Sequence, residues 1–170
     1  MRKWMPMLVC LFFLTACSAK DTASTAKIGE QYASGFSTAA TVMTEEDTLE
    51  MTVTKNGMSI TVFVEKPEEL RGLSIQSDLG KTKVTFEGME KEFVTERLPK
   101  EAPFRLLGAA FSVLEKGEGF SAERTKEGVA VFGDGFSGFL SPEDLSLFSL
   151  SFPAEKTEVS FSDFRFSEEK

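Results

Sequence analysis

The side chains with the richest chemistry in this sequence are two cysteine thiols, Cys10 and Cys17, which both lie near the start of the chain. A thiolate is a nucleophile and a metal ligand, and two thiols can form a disulfide. Cys17 ends the stretch FFLTAC, in which apolar and small residues precede it. Side-chain chemistry alone therefore leaves three interpretations open: a disulfide, a metal site, or another use of the thiol.

Other candidates for catalysis are few. The sequence contains no histidine, which removes the commonest general base and the commonest transition-metal ligand. Paired carboxylates or a Ser-Lys dyad would still be chemically possible, but no motif in the sequence arranges them. We therefore predict that the protein is not an enzyme and that it uses neither a metal nor another cofactor.

Two further patterns are weak signals for ion or phosphate binding. Acidic clusters at residues 45–47, 90–92 and 168–169 could bind cations, but such runs are typical of solvated surfaces and chain ends. The stretch FGDGFSG at 132–138 lacks the Gly-Lys-Ser/Thr of a phosphate-binding loop and the acidic spacing of an EF-hand. A glycine-rich hairpin is the favoured interpretation of that stretch.

The first 16 residues have the composition of an export signal. Arg2 and Lys3 are basic, and residues 5–16 are almost wholly apolar, which is the order of regions found in secretory signals. The apolar run is well short of the ~20 residues that cross a bilayer as a helix. A short buried helix would be the alternative, but the run shows no amphipathic stripe. We predict a signal peptide over residues 1–16.

Leu14-Thr15-Ala16-Cys17 resembles the lipobox of bacterial lipoproteins. In that family the cysteine thiolate receives a diacylglyceryl group, and the chain is cut just before it. The resemblance implies that Cys17 becomes the acylated first residue, carrying chains such as palmitate, and that Cys10 is discarded, so that no disulfide forms. It also implies a cell-membrane protein, anchored by lipid on the extracytoplasmic side. Residues 17–30 would then contain the lipidated Cys17 and a flexible tether.

The charge balance bears on the partners of the protein. The whole chain has 19 basic and 27 acidic residues. Loss of Arg2 and Lys3 with the signal would leave 17 basic residues, and thus a net charge of −10. Such a surface repels nucleic acid and anionic headgroups, so we expect no nucleic-acid partner and attachment to the membrane through Cys17. The remaining residues, 31–170, suit a single domain.

Most of that domain alternates apolar and polar residues between turn signals, which predicts short strands. Residues 49–55 and 58–65 flank Asn56-Gly57, a strong hairpin signal because both residues tolerate a positive φ. The other predicted strands are residues 36–42, 73–77, 81–86, 89–94, 120–123, 129–132, 136–140, 145–152 and 157–166. About ten strands at this spacing predict an α+β, mainly β fold: a strongly curved antiparallel sheet that forms a half-open barrel.

One segment breaks the strand pattern. Residues 99–117 predict an apolar helix that begins near Pro103 and ends at Gly117. The side chains that share its main apolar face are Phe104, Leu107, Phe111 and Leu114. Because so apolar a helix must be covered, we expect it to plug or lid the concave side of the sheet. Residues 28–34 predict a second, shorter helical turn.

Residues 56–93, NGMSITVFVEKPEELRGLSIQSDLGKTKVTFEGMEKEF, resemble the lipoprotein-carrier family of LolA-, LolB- and LppX-like domains, as does the closing TEVSFSDFRF. The likeness is one of pattern and topology and contains no catalytic motif. It implies a LolA-like domain over residues 31–170, whose concave face binds acyl chains or another apolar ligand beneath a helical lid. The helical insert is shorter than the family pattern, which implies a smaller lid and a cavity that the protein's own side chains could fill.

These observations predict a non-catalytic lipoprotein whose curved sheet binds a hydrophobic ligand such as lipid or acyl chains. The alternative is a scaffold that binds a cell-envelope or spore-germination protein. The predicted ligand-binding residues are Phe104, Leu107, Phe111, Leu114 and Phe63. Phe63 stands apart because it lies on the strand face opposite Ile60 and Val62, so it is either covered by a loop or part of a contact surface. The 17 phenylalanines either line a cavity or fill the core, and core packing is the commoner role.

Overall fold

The computed structural model describes residues 23–167. Within that range the chain forms eleven β-strands, two α-helices and three short 3₁₀ turns. The fold is α+β and mainly β, as predicted, with one curved antiparallel sheet that does not close into a barrel. The predicted signal peptide and the predicted lipidation site Cys17 lie outside the described residues.

The sheet consists of two sequential meanders that join along one pair of strands. Its order is β6-β5-β4-β3-β2-β1-β11-β10-β9-β8-β7, so β1 and β11 bring distant parts of the chain together. The strands are β1 (Phe36–Met43), β2 (Thr48–Asn56), β3 (Ser59–Lys66), β4 (Ser74–Asp78), β5 (Lys81–Phe86), β6 (Met89–Val94), β7 (Phe120–Arg124), β8 (Val129–Gly133), β9 (Phe136–Leu140), β10 (Leu147–Phe152) and β11 (Thr157–Phe166). Each predicted strand is present, with its ends shifted by two residues at most.

Alternation of side chains sets the two faces of the sheet. In β2, Met51 and Val53 are buried, and in β3 Val62 is buried beside them. Phe63, on the opposite face of β3, is 44% exposed, as its position in the alternation predicts. The concave face therefore carries the apolar residues that the sequence pattern assigns to it.

The hairpin between β2 and β3 forms, but its loop is one residue later than predicted. Asn56 pairs with Ser59 in the ladder, so the two loop residues are Gly57 and Met58 rather than Asn56 and Gly57. Gly57 has φ of 55° at the first loop position. When glycine fills the first position of a two-residue hairpin loop, only that residue needs a positive φ. Asn56 is therefore not needed in the loop and stays in the strand.

The two helices are α1 (Thr25–Ala33) and α2 (Pro103–Lys116). Helix α2 begins and ends where the sequence predicts, with proline in its first position and Gly117 at φ 65° as the left-handed stop. Helix α1 starts earlier than the predicted turn at residue 28. The hydroxyl of Ser24 caps it by accepting a hydrogen bond from the Lys27 amide at 3.3 Å.

The prediction of a flexible tether through residue 30 is therefore wrong for residues 25–30, which belong to α1. The short helix forms because it buries Ile28 and Tyr32 completely against the rest of the fold. Most of the stability of so short a helix comes from such packing rather than from its own propensity.

The two helices pack backbone against backbone. A Cβ atom built on Gly29 of α1 would lie 2.9 Å from the Gly117 amide nitrogen, and one built on Gly117 would lie 3.0 Å from the Thr25 carbonyl oxygen. Real Cβ atoms rarely approach backbone so closely, so both positions require glycine. The contact fixes α1 on the C-terminal end of α2.

Aromatic side chains fill the space between the two helices and strands β1 and β11, on the concave face of the sheet. The ring of Phe111 in α2 lies 4.7 Å from that of Phe36 and 6.1 Å from that of Phe161, measured between centroids. Tyr32 lies 5.8 Å from Phe36 in an edge-on arrangement. This half of the concave face is therefore a packed core.

Candidate functional site

The other half of the concave face contains a cavity of about 700 Å³ between helix α2 and strands β2 to β4. Its apolar lining comes from inward-facing strand residues, two hairpin loops and the start of α2: Met58, Ile60, Val62, Ile75, Leu79 and Phe104. The cavity is possible because α2 presents Gly108 to it, and a Cβ on Gly108 would meet nothing within 4 Å. A larger side chain at that position would occupy the space.

Two exposed apolar side chains mark the mouth of the cavity. Met58 lies in the loop between β2 and β3 and is 68% exposed, and Leu79 lies in the loop between β4 and β5 and is 75% exposed. The strand register places both loops at the same end of the sheet. An apolar ligand entering there would contact apolar surface before it reached the interior.

A buried lysine forms part of the cavity wall. Lys55 is the last inward-facing residue of β2 and is 2% exposed. Its Nζ donates to the Gly57 carbonyl at 2.7 Å and forms an ion pair with Glu115 Oε1 of α2 at 3.1 Å. The aliphatic stem of Lys55 continues the apolar lining, while its ammonium supplies a polar centre inside the cavity.

Further charged residues line the same cavity. Arg105 donates to the Leu98 carbonyl, which holds the guanidinium beside the start of α2. The basic residues of the lining are Lys55, Arg105 and Lys116, and the acidic ones are Asp78 and Glu115. The wall thus carries one more positive than negative group, although the chain as a whole has a net charge of −8.

The structure separates the five residues that the sequence predicts as ligand-binding. Phe104 lines the cavity. Leu107, Phe111 and Leu114 face the packed core and are fully buried there. Phe63 lies on the opposite side of the sheet, where Thr52 and Ser74 flank it in the register, and it does not line the cavity.

Several lining residues were not predicted from the sequence. Lys55 continues the alternation of Leu49, Met51 and Val53. A charged residue on this otherwise apolar strand face is the sequence signal that could have identified it. Gly108 and Ser112 follow Phe104 at spacings of four along α2, so the three residues lie on one side of the helix. The two small residues leave a groove next to the bulky Phe104 side chain. Sequence alone does not show which face of α2 meets the core and which meets the cavity.

A second, smaller cavity of about 160 Å³ lies on another side of α2. Leu106 and Val113 of the helix line it, together with Phe136 and Phe152 of the sheet. Its volume is well below that of typical small-molecule sites, which are about 300–1,000 Å³. The larger cavity is therefore the candidate functional site.

Two groups with shifted pKa values lie away from this cavity. Burial raises the pKa of Tyr32 well above its usual value, and the nearby charge of Asp144 adds to the effect. Partial burial of Asp144 would raise its own pKa, but hydrogen bonds from Ser141 and Ser146 outweigh that effect and lower it. Both groups stabilise the loop before β10, where the Tyr32 hydroxyl donates to the Leu145 carbonyl at 3.1 Å.

Comparisons with known proteins give likenesses in fold but not in sequence. No family model matches the chain, and no curated protein matches it. An uncharacterized conserved protein from Thermus thermophilus is similar in structure, with a TM-score of 0.54 and 12% identity over 86% of this chain and 87% of that one. This likeness shows a shared fold.

Two other solved structures are similar at lower scores. A LolA superfamily protein from Nitrosomonas europaea has a TM-score of 0.44 and 8% identity over 87% of this chain and 96% of that one. A DUF1329 family protein from Desulfovibrio piger has a TM-score of 0.39 and 8% identity over 84% and 92%. Within residues 23–167, no helix of this protein is long and apolar enough to cross a membrane.

Proposed function

We propose that this protein is an exported lipoprotein, anchored to the extracytoplasmic side of the cell membrane through acylated Cys17. Its curved sheet would bind a hydrophobic ligand, such as a lipid acyl chain, in the cavity between α2 and strands β2 to β4, without catalysing a reaction. The observation that supports this function best is the cavity itself, whose lining includes six apolar residues and which is large enough for a ligand.

The size and lining of the cavity both favour binding of an apolar molecule. At about 700 Å³ it falls within the range of small-molecule sites. Burial of apolar ligand surface contributes about 25 cal/mol per Å², so a hydrocarbon chain against Ile60, Val62 and Ile75 would gain substantial free energy. The exposed Met58 and Leu79 give such a chain a route from a membrane or carrier into the interior.

The non-catalytic part of the proposal is supported by the ionisable groups of the cavity. Glu115 is held by Lys55 at 3.1 Å, and the sequence offers no histidine to act as a base. The alternative function as a protein scaffold draws on Phe63, but threonine and serine flank this phenylalanine in the register, and an apolar residue in such surroundings is ordinary surface. Ligand binding is therefore the function that we favour.

Native mass spectrometry of residues 18–170, which contain every element described above, tests the proposal. We expect a co-purifying lipid, or uptake of added fatty acid, that is released when the protein unfolds. Protein that is free of lipid and takes up neither fatty acid nor phospholipid would contradict ligand binding and would favour the scaffold.

A variant that fills the cavity makes the test specific. Gly108→Leu should place its side chain in the open space of the cavity and reduce ligand uptake by at least about tenfold, since the ligand would lose room and contacts. Phe63→Ala on the opposite face is the matched control and should bind as the wild type does. Equal uptake by Gly108→Leu and the wild type would place the ligand elsewhere.

A further inference from the structure

Lys55 is unusual in its position. Lysine is among the residues least often fully buried, yet Lys55 is 2% exposed and its neighbours on the same face of β2 are apolar. An apolar residue there would pack without any cost of removing a charge from water. The structure thus holds a buried ammonium group at the wall of the cavity, beside its apolar lining.

The ammonium retains capacity for another partner. A lysine has three N–H donors, and Nζ of Lys55 donates to the Gly57 carbonyl and to Glu115 Oε1. Lys55 also lines the cavity, as do Arg105 and Lys116, so the lining has an excess of positive charge. An anionic group inside the cavity would find a charged donor there.

The partner of Lys55 is the more exposed member of the pair. Glu115 is 30% exposed, whereas the Lys55 side chain is 1% exposed. The carboxylate can therefore be hydrated when it leaves the pair, whereas the buried ammonium needs another anion in its place. The ion pair holds Lys55 in the absence of a ligand and can be exchanged for another anion.

We propose that the ligand is an anionic amphiphile, whose headgroup binds Lys55 Nζ in place of Glu115 while its single acyl chain occupies the apolar part of the cavity. This inference rests on the proposed function, because it assigns the headgroup chemistry of the same cavity. A fatty-acid carboxylate and the phosphate of a single-chain lipid share that chemistry. A charge-assisted hydrogen bond from the buried ammonium gives strong preference for an anion over a neutral group.

Three ligands with the same hydrocarbon chain distinguish the contribution of the headgroup to affinity from that of the chain. They are dodecanoate, dodecyl phosphate and dodecanol. Their affinities for residues 18–170 are measured by titration calorimetry below the micelle concentration. We expect at least one of the anions to bind about tenfold more tightly than dodecanol, as a hydrogen bond to a charged group allows. The anion with the higher affinity distinguishes the carboxylate source from the phosphate source.

Two variants with opposite expected effects complete the test. Lys55→Met keeps an unbranched stem but removes the ammonium, and it should abolish the preference for the anions over dodecanol. Glu115→Gln removes the competing carboxylate and should strengthen anion binding several-fold. If Lys55→Met does not fold, as far-ultraviolet circular dichroism would show, the Glu115→Gln variant decides alone.

The outcomes distinguish this inference from the function on which it rests. Equal binding of dodecanol and both anions, unchanged in the two variants, would overturn the headgroup site while supporting an apolar cavity. Failure of all three ligands to bind would overturn the proposed function and the headgroup site together. Anion preference that depends on Lys55 supports both.

Discussion

Tyr32 is the one tyrosine of the chain, and it connects α1 to a distant loop. Its ring is fully buried among Phe36, Phe111 and Phe166, and its hydroxyl donates to the Leu145 carbonyl. A phenolate in that position would lose both hydration and the hydrogen bond that it donates. The neutral hydroxyl is therefore the form that the folded protein stabilises, and the pKa of Tyr32 is raised.

This raised pKa predicts a loss of stability at high pH. Below the unfolded pKa of about 10, both states are protonated, so Tyr32 adds no pH dependence. Above it, the unfolded chain ionises first, and the free energy of unfolding falls by up to about 1.4 kcal/mol per pH unit until the folded pKa is reached. Urea unfolding at a series of pH values measures this slope.

Tyr32→Phe is the matched control for that measurement. The variant loses the hydrogen bond to Leu145, which costs about 1 kcal/mol at neutral pH, but its stability should fall less steeply above pH of about 10. Tyrosinate absorbance reports on Tyr32 alone, because residues 18–170 contain no other tyrosine. A native titration with a midpoint at the usual value of about 10 would contradict the burial argument.

At the scale of single elements, two glycines in helices have opposite surroundings. Gly29 in α1 faces the backbone at Gly117, and Gly108 in α2 faces open cavity. Gly108→Ala should stabilise the protein by about 1 kcal/mol, the difference in helix propensity. Gly29→Ala should destabilise it by about 1–3 kcal/mol, because the added methyl forces the helices apart.

Chemical denaturation of both alanine variants at one pH gives the two free energies of unfolding directly. The pair is informative because the substitution is identical and helix propensity acts in the same direction in both. Stabilisation of both variants would show that α1 and α2 do not pack as closely as described. Destabilisation by Gly108→Ala would mean that the space beside Gly108 is filled.

The strands and α2 could be predicted from the sequence because local signals specify them. Alternation marks β2 and β3, and Pro103 and Gly117 mark the ends of α2. Helix α1 was only partly predicted, because its stability depends on the burial of Ile28 and Tyr32 by distant residues. Long-range packing also decides which side of α2 meets the core. For that reason the sequence could not show that Leu107, Phe111 and Leu114 belong to the core and not to the cavity.

For the whole molecule, the proposed anchor at Cys17 predicts where the protein is found in the cell. Cys17→Ser should prevent acylation and processing, and should reduce the membrane-bound fraction, since the acyl chains would be lost and an acidic surface repels anionic headgroups. Metabolic labelling with palmitate and cell fractionation measure both effects.

Cys10→Ser is the control for the anchor, because Cys10 lies in the predicted signal peptide. That variant should be labelled and bound to the membrane as the wild type is. Labelling that persists in Cys17→Ser and disappears in Cys10→Ser would reassign the modified residue. Absence of labelling in every variant would remove the anchor from the proposed function.

The backbone contact between Gly29 and Gly117 also determines which part of the protein can yield. Because no side chain lies between them, α1 and α2 cannot slide past each other without a collision of their backbones. The two helices therefore act as one rigid unit. The two hairpins that carry Met58 and Leu79 do not take part in this contact, so we expect them to move more easily than the helices. If the proposed ligand binds, we therefore expect the separation of these hairpins, rather than any movement of the helices, to limit the width of the ligand that can enter.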